Sequence, residues 1–209
     1  MTDAIRQLQS RRVGGLEIRL LLEYIHELGR TISIAAHELT IVRRRVGVWA
    51  QANEKARATG DLPPLDDTQM CAAIEGFLAA YARASLLLFP SRQGYARRRG
   101  GALREFLSIA DDHRIADRRL RNDWLHYDER LDQLIQTSDR GRWGFIILDG
   151  STHAADAFHR EFVRMIDPRT LDVFFLGERY SLCDLMARLD DVRERIQPAL
   201  DKHLGAADA

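Results

Sequence analysis

The sequence predicts a mostly α-helical protein that ends in a small α+β element. Over residues 16–137, apolar residues recur mainly at three- and four-residue spacings, which is the period of a helix that buries one face. The chain then changes to short segments rich in aromatic and branched residues, WGFIILDG and LDVFFLGERYSL, which favour strands. We therefore predict a helical domain over residues 14–138 and a C-terminal element over residues 139–209.

The first predicted helical region runs from Leu16 to about Ala58. Within it, Gly29 and the β-branched segment TISI predict either two helices or one long bent helix. The next segment, ATGDLPPLDDT, contains a glycine and two prolines and predicts a loop. The strongly apolar run MCAAIEGFLAAYARASLLLF then predicts a buried helix that is ended by Pro90.

A basic segment with several glycines, SRQGYARRRGG, predicts a loop, and a short helix follows over about residues 102–110. A longer helix is predicted from about Arg114 to Gln136. Most of its surface is charged, so only a narrow stripe can face a core. The stripe consists of Ile115, Leu120, Trp124, Leu131 and Leu134.

The C-terminal element is predicted to contain an antiparallel β-hairpin followed by a helix. WGFIILDG and LDVFFLGERYSL are the two predicted strands. The segment between them, HAADAFHREFVRMID, either has a helical structure or forms a long connection. An amphipathic helix from about Ser181 to His203 is predicted to close the chain.

The composition is that of a soluble globular protein, with 45% hydrophobic and 30% charged residues and a formal net charge of zero. No apolar run approaches the roughly 20 residues that span a bilayer, and MTDAIRQLQSRR lacks the apolar stretch of a signal peptide. Cys71 and Cys183 lie far apart and form no metal-ligand spacing, so we expect reduced thiols. These features predict a cytoplasmic protein with no membrane partner, no metal and no cofactor.

Arginine dominates the basic residues, since Lys55 and Lys202 are the only lysines. Genomic base composition would explain this excess, whereas phosphate binding would explain why arginines are concentrated over residues 92–121. Both explanations stay open. If the segment binds RNA, five of its arginines are the predicted phosphate contacts. They are Arg118 and Arg119, and then Arg97, Arg98 and Arg99.

A dense polar cluster, RLRNDWLHYDERLD, occupies residues 119–132 of the longer predicted helix. Asn122 and His126 are four residues apart and therefore share a helix face. Arg121 is rotated from His126 by about 140°, but its long side chain can curl toward the same groove. The spacing therefore allows a guanidinium, an amide and an imidazole to meet.

Arg121-Asn122-Asp123-Trp124-Leu125-His126 resembles the R-N-x-x-x-H form of the arginine–histidine motif of the HEPN superfamily. The resemblance covers about residues 16–137, although these six positions carry it. It implies an up-and-down helical bundle with the motif on a late helix. It also implies a homodimer whose two motifs form one cleft that cleaves RNA without a metal.

The resemblance implies a role for each of the three motif residues. His126 would take the proton of the 2′-hydroxyl or protonate the leaving oxygen, since an imidazole titrates near neutral pH. Arg121 would stabilise charge on the phosphate, and Asn122 would orient His126 or the phosphate. The products would be a 2′,3′-cyclic phosphate and a 5′-hydroxyl.

Two other classes of function remain open at the level of the sequence. The first is a non-catalytic dimeric adaptor or a module that binds a protein partner such as an antitoxin, in which the charged residues form only a solvated helix face. The second is a carboxylate–histidine metal protein, because Glu23 and His26, and likewise Asp123 and His126, have the i,i+3 spacing of metal ligands on one helix face, with Glu75 as a further ligand.

Overall fold

The computed structural model describes residues 12–61, 68–91, 93–137, 142–147, 162–175 and 178–204. Most of these residues are helical, and a small sheet lies toward the C-terminus, before the last helices. The prediction of a mostly α-helical protein with a small sheet in its C-terminal region is therefore confirmed, whereas the up-and-down bundle stays a prediction.

The first described residues form a two-stranded turn that is not predicted from the sequence. Strand β1 (Arg12–Val13) pairs antiparallel with β2 (Leu16–Glu17). Gly14 and Gly15 connect them at φ of 55° and 79°, which glycine adopts without strain. A Cβ atom at Gly14 would lie 2.6 Å from the Cα atom of Ala102, so a side chain cannot replace this glycine without a backbone shift.

Helix α1 extends without interruption from Ile18 to Thr59. Its buried positions alternate at spacings of four and three residues through Gly29 and the TISI segment. They are Leu21, Ile25, Leu28, Ile32, Ala35, Leu39 and Val42. A continuous apolar seam favours one helix, because tertiary burial outweighs the low helix propensity of glycine and β-branched residues. Of the two predicted alternatives, one long helix is therefore correct.

Helix α2 (Thr68–Leu88) is the predicted apolar helix, and it ends just before Phe89 and Pro90. By length and composition it could cross a membrane. However, 56% of the 18-residue stretch that is apolar enough to do so is buried inside the structure. The core helix of a soluble protein passes the same test. The cytoplasmic location stays a prediction.

Helix α3 (Tyr95–Phe106) begins seven residues earlier than the sequence predicts and includes the RRRGG segment. The prediction of a loop there is wrong. Gly100 belongs to the helix, and the absence of a side chain at this position allows the helix to pack closely on Pro90. A Cβ atom at Gly100 would lie 2.5 Å from the Cδ atom of Pro90. The helix ends where Ser108 adopts φ of 54°.

The predicted helix over 114–136 is three shorter elements: a 3₁₀ turn (Arg114–Ala116), α4 (Arg119–Leu125) and α5 (Tyr127–Thr137). The Asp117 side chain accepts a hydrogen bond from the backbone N–H of Arg119, so a new helix starts there. The second interruption is local, since the N–H of His126 still bonds to Asn122 O at 3.0 Å and its carbonyl accepts from Arg130 N–H.

The sheet contains β3 (Arg142–Ile147), β4 (Phe162–Asp167), β5 (Asp172–Phe175) and β6 (Glu178–Ser181), in that spatial order. The β3–β4 pair is parallel, and the β4–β5 and β5–β6 pairs are antiparallel. The predicted pairing of WGFIILDG with LDVFFLGERYSL is therefore wrong. The second segment supplies both β5 and β6, and FVRMID, which was predicted as helix or connection, supplies β4.

The predicted final helix is divided at Arg195 into α6 (Leu182–Glu194) and α7 (Ile196–Leu204). Pro198 lies in the first turn of α7, where a missing backbone N–H is tolerated.

The chain forms two compact units, and helices α1 and α2 each contribute residues to both of them. The first unit comprises residues 1–35, 80–121 and 187–209, and the second comprises 36–79 and 122–186. The core of the first includes Leu28, Tyr81 and Phe106, whereas that of the second includes Phe77, Ile166 and Phe175. The predicted boundary at residues 138–139 lies outside the described residues and stays a prediction.

Candidate functional site

Arg121, the first residue of the predicted motif, is completely buried in the first unit, with 0% of its surface exposed. Its Nη1 donates a hydrogen bond to the carbonyl oxygen of Phe89. Its Nε and Nη2 have no hydrogen-bond partner among the described residues. Arg121 is therefore a buried cation with two unused donor groups.

Three arginines of the first unit bond to carbonyls at the C-terminal end of α2. Arg99 Nη2 donates to Leu86 O at 3.1 Å, Arg104 Nη1 to Leu88 O, and Arg121 to Phe89 O. The last carbonyls of a helix have no intrahelical partner, and the helix dipole makes this end negative. We call Arg99, Arg104 and Arg121 the capping arginines, because they satisfy these carbonyls.

The electrostatics of Arg121 are unusual for a buried charge. Burial lowers the pKa of its guanidinium, and the nearby charge of Arg118 lowers that pKa further. An arginine nevertheless stays protonated at neutral pH. Buried charges are normally paired, yet no carboxylate among the described residues forms an ion pair with Arg121.

Asn122 and His126, the other two predicted catalytic residues, are exposed and belong to the second unit. The His126 side chain is 58% exposed, and its Nδ1 lies 3.3 Å from Glu129 Oε2. This is an ion pair only when the imidazole is protonated, and exposed pairs contribute little to stability. The imidazole is thus free to meet a molecule from solution.

Asp123, between these residues, is only 2% exposed and anchors the part of the motif that belongs to the second unit. Its Oδ1 accepts hydrogen bonds from Arg130 at 2.8 and 3.0 Å, and its Oδ2 accepts one from the hydroxyl of Tyr180 on β6. This structural role was not predicted from the sequence. No local pattern marks it, because Tyr180 lies 57 residues further along the chain.

Two aromatic rings also attach this helical segment to the sheet. Trp124 and Tyr127 stack on Phe175 of β5 with ring centroids 5.9 and 5.8 Å apart. The i,i+3 spacing of the two rings places them on one face of the helical segment. This spacing is the sequence signal that could have predicted their shared packing.

The five predicted phosphate contacts have different surroundings in the first unit. Arg97, Arg98 and Arg118 are exposed, and none of them forms an ion pair with a described carboxylate. Arg119 is also exposed, but it pairs with Asp117 at 2.8 Å. Arg99 is half-buried, since it caps α2 and lies over the ring of Tyr24 at 5.3 Å from its centroid. We call Arg97, Arg98 and Arg118 the exposed arginines.

The metal-protein alternative gains no support from the part of the chain that the structure describes. No three histidine, cysteine, aspartate or glutamate side chains in those ranges are grouped so that they could hold an ion. Asp123, one of its predicted ligands, accepts instead from Arg130 and Tyr180.

No family model matches the chain, and no curated protein and no solved structure is significantly similar to it. The resemblance to the HEPN superfamily therefore stays a prediction carried by residues 121–126.

Proposed function

We propose that this chain is a HEPN-like, RNA-binding protein that cleaves RNA without a metal and acts as a homodimer. The observation that carries the proposal is the exposure of His126, of which 58% of the side chain is accessible. General acid–base catalysis requires an imidazole that a substrate can reach, and the exposure of His126 supports the proposal because it meets that requirement.

The proposed reaction transfers two protons. A base removes the proton from the 2′-hydroxyl, O2′ forms a bond to phosphorus, and the bond from phosphorus to the 5′-oxygen breaks. An acid then gives a proton to that leaving oxygen. Each chain supplies one His126, so two copies supply both the base and the acid. This requirement supports a homodimer in the proposal.

The exposed arginines supply the attraction for RNA in this proposal. Arg97, Arg98 and Arg118 carry positive charge that no described carboxylate neutralises, so they can contact phosphates. Arg119 would have to leave Asp117 before it could do so. Asn122, which is exposed, keeps its proposed role of orienting His126 or the phosphate.

Arg121 has a less direct role in the proposal than the resemblance implies. Its guanidinium does not reach solvent in this structure, so contact with a phosphate would require it to become accessible. We propose instead that it is a positioning residue, which fixes the start of α4 by bonding to Phe89 O.

The test is cleavage of end-labelled RNA by the purified full chain in excess EDTA, followed by analysis of the product ends. The wild type should yield 2′,3′-cyclic phosphate ends, and His126→Ala should yield none. His37→Ala is a matched control, because His37 is an exposed histidine elsewhere in the second unit, on α1. Cleavage by His126→Ala at the wild-type rate would exclude this role for His126.

A second candidate function is binding of a protein partner without catalysis. It is favoured by Leu125 and Ile135, which are 50% and 46% exposed beside the motif in the second unit. The capping role of Arg121 would also explain that residue without any chemistry. Absence of RNA products from the wild type, together with self-association that Leu125→Asp abolishes, would favour this candidate.

A further inference from the structure

One edge of the Arg121 guanidinium group, within the first unit, is buried and has no partner. In arginine, the N–H groups of Nε and Nη2 point in the same direction and form an edge of two donors that matches a carboxylate. Both atoms of Arg121 are buried, and neither has a hydrogen-bond partner in the part of the chain that the structure describes. The remaining nitrogen, Nη1, donates to the carbonyl oxygen of Phe89, so the capping bond leaves this edge unused.

Other arginines of the chain show what such an edge binds. In each of them, Nε and Nη2 both donate to the carboxylate group of one residue. The pairs are Arg30 with Glu27, Arg119 with Asp117, Arg130 with Asp123, Arg179 with Asp172, and Arg195 with Asp191. Arg121 presents the same two donors, and no described carboxylate accepts from them.

The surroundings of this edge favour an anion over a neutral partner. A buried charge is normally paired, because removing it from water without a counter-charge costs free energy. The exposed Arg118 lies close enough that its charge lowers the pKa of Arg121, so the two guanidinium groups repel each other. An anion on the unused edge would supply the counter-charge and reduce this repulsion.

The burial of Arg121 restricts the size of that anion. The residue is 0% exposed, so a phosphodiester chain or the side chain of a partner protein does not reach it in this structure. A small ion needs only a local opening of the fold to enter. Two parallel donors also match the two oxygens of a carboxylate better than they match one spherical halide ion.

We propose that the unused edge of Arg121 binds a small monocarboxylate anion, of the size of formate or acetate, inside the first unit. Nε–H and Nη2–H each donate to one carboxylate oxygen, while Nη1 keeps its bond to Phe89 O. This inference goes beyond the proposed ribonuclease and does not depend on it, since the anion takes no part in cleavage. His126→Ala should therefore bind the anion like the wild type, so the two proposals can fail separately.

The experiment is isothermal titration calorimetry of the full chain with sodium formate, acetate, chloride and inorganic phosphate at constant ionic strength. Formate or acetate should bind at one site per chain with a dissociation constant of about 1 mM or lower. Chloride and phosphate should bind at least about tenfold more weakly. Arg121→Lys keeps the positive charge but removes the edge of two donors, so it should weaken carboxylate binding by about tenfold or more.

Arg98→Ala is the matched control, because Arg98 is an exposed arginine of the same unit, and it should bind like the wild type. Arg118→Ala removes the nearby charge and should weaken binding a few-fold. It also keeps the test valid if Arg121→Lys does not fold, since Arg118 is exposed.

Three results would overturn the proposal. The first is the absence of saturable formate or acetate binding at concentrations about ten times the expected dissociation constant. The second is carboxylate binding that neither Arg121→Lys nor Arg118→Ala weakens. The third is chloride or phosphate that binds as tightly as the carboxylates, because the edge would then not select a carboxylate.

Discussion

Two groups of arginines from one basic segment have opposite surroundings in the first unit. The capping arginines, Arg99, Arg104 and Arg121, donate to backbone carbonyls at the end of α2, and Arg121 is wholly buried. The exposed arginines, Arg97, Arg98 and Arg118, face solvent. Local charge density alone does not distinguish the groups, because adjacent residues such as Arg98 and Arg99 belong to different ones. The distinction depends on where the carbonyls of α2 lie.

The largest expected effect is that of Arg121→Ala, which tests whether the capping arginines stabilise the fold. The substitution would leave Phe89 O without its donor and would open a cavity, so we expect a loss of about 2–4 kcal/mol in the free energy of unfolding. Urea denaturation with an unchanged m-value would measure it. A loss below about 1 kcal/mol would indicate that the unpaired buried charge offsets the capping bond, and would favour a functional reason for Arg121.

A comparable effect is expected from Asp123→Ala in the second unit, where a carboxylate rather than a carbonyl is the buried acceptor. The change would leave the hydroxyl of Tyr180 and the guanidinium of Arg130 without their acceptor, at a cost of about 2–3 kcal/mol. Tyr180→Phe removes one donor only and should cost about 1 kcal/mol. Equal losses in chemical denaturation for both variants would show that the bond from Arg130 contributes nothing.

A smaller effect should appear in acid and should separate carboxylate-paired arginines from the capping arginines. The hydrogen bond from Arg119 lowers the pKa of Asp117, and bonds from His113 and then Arg195 lower the pKa of Asp191. A lowered folded-state pKa gives stability that is present above the ordinary value of about 3.9 and is lost as pH falls through the lowered value. Carbonyl oxygens do not titrate in this range, so the capping bonds should persist.

The measurement for that prediction is the free energy of unfolding of the wild type, Asp117→Asn and Asp191→Asn between about pH 6 and pH 2. Each variant should lose less stability than the wild type below about pH 4, by at most about 1 kcal/mol after solvent screening. Parallel curves for the wild type and both variants would contradict the assigned pairing.

The smallest effect on stability is expected for Arg118→Ala, within about 0.5 kcal/mol, because the side chain is exposed and forms no ion pair with a described residue. If the proposed RNA binding is correct, the same variant should bind single-stranded RNA a few-fold more weakly. The slope of log K against log salt concentration should fall by about 0.7. Arg44→Ala is the control on α1, and an unchanged salt slope for Arg118→Ala would remove Arg118 from the RNA-binding surface.

The long helices could be predicted from the sequence because their stabilising pattern is local. The seam of α1 repeats every three or four residues, so the period itself identifies the helix and its buried face. The same pattern cannot show that α1 continues through Gly29, because the burial that outweighs the propensity of that residue comes from distant parts of the chain.

The sheet was predicted less well, since strand pairing depends on distant residues. Met165 and Ile166, which are adjacent in β4, are both buried, so this strand lacks the alternation that marks a half-exposed strand. Its parallel pairing with β3 is a long-range property for which the local sequence carries no signal.

The residue types of the candidate site could be predicted, but their environments could not. A charged helix normally keeps its arginines in solvent, which made the burial of Arg121 unexpected. Its acceptor, Phe89 O, precedes it by 32 residues, so only the tertiary structure brings the two groups together. The exposure of His126 follows more directly, because the apolar stripe of the predicted helix excludes it.

The capping arginines also limit which arginine-to-lysine substitutions the protein can tolerate during evolution. A single nucleotide change can convert some arginine codons to lysine codons, and at exposed positions such a change keeps the charge and costs little. At Arg99, Arg104 and Arg121 it would replace a planar, forked donor with a compact ammonium group that is more strongly hydrated and harder to bury. In lineages where lysine is favoured over arginine, lysine should therefore replace arginine at the exposed positions first, and arginine should be kept at the end of α2.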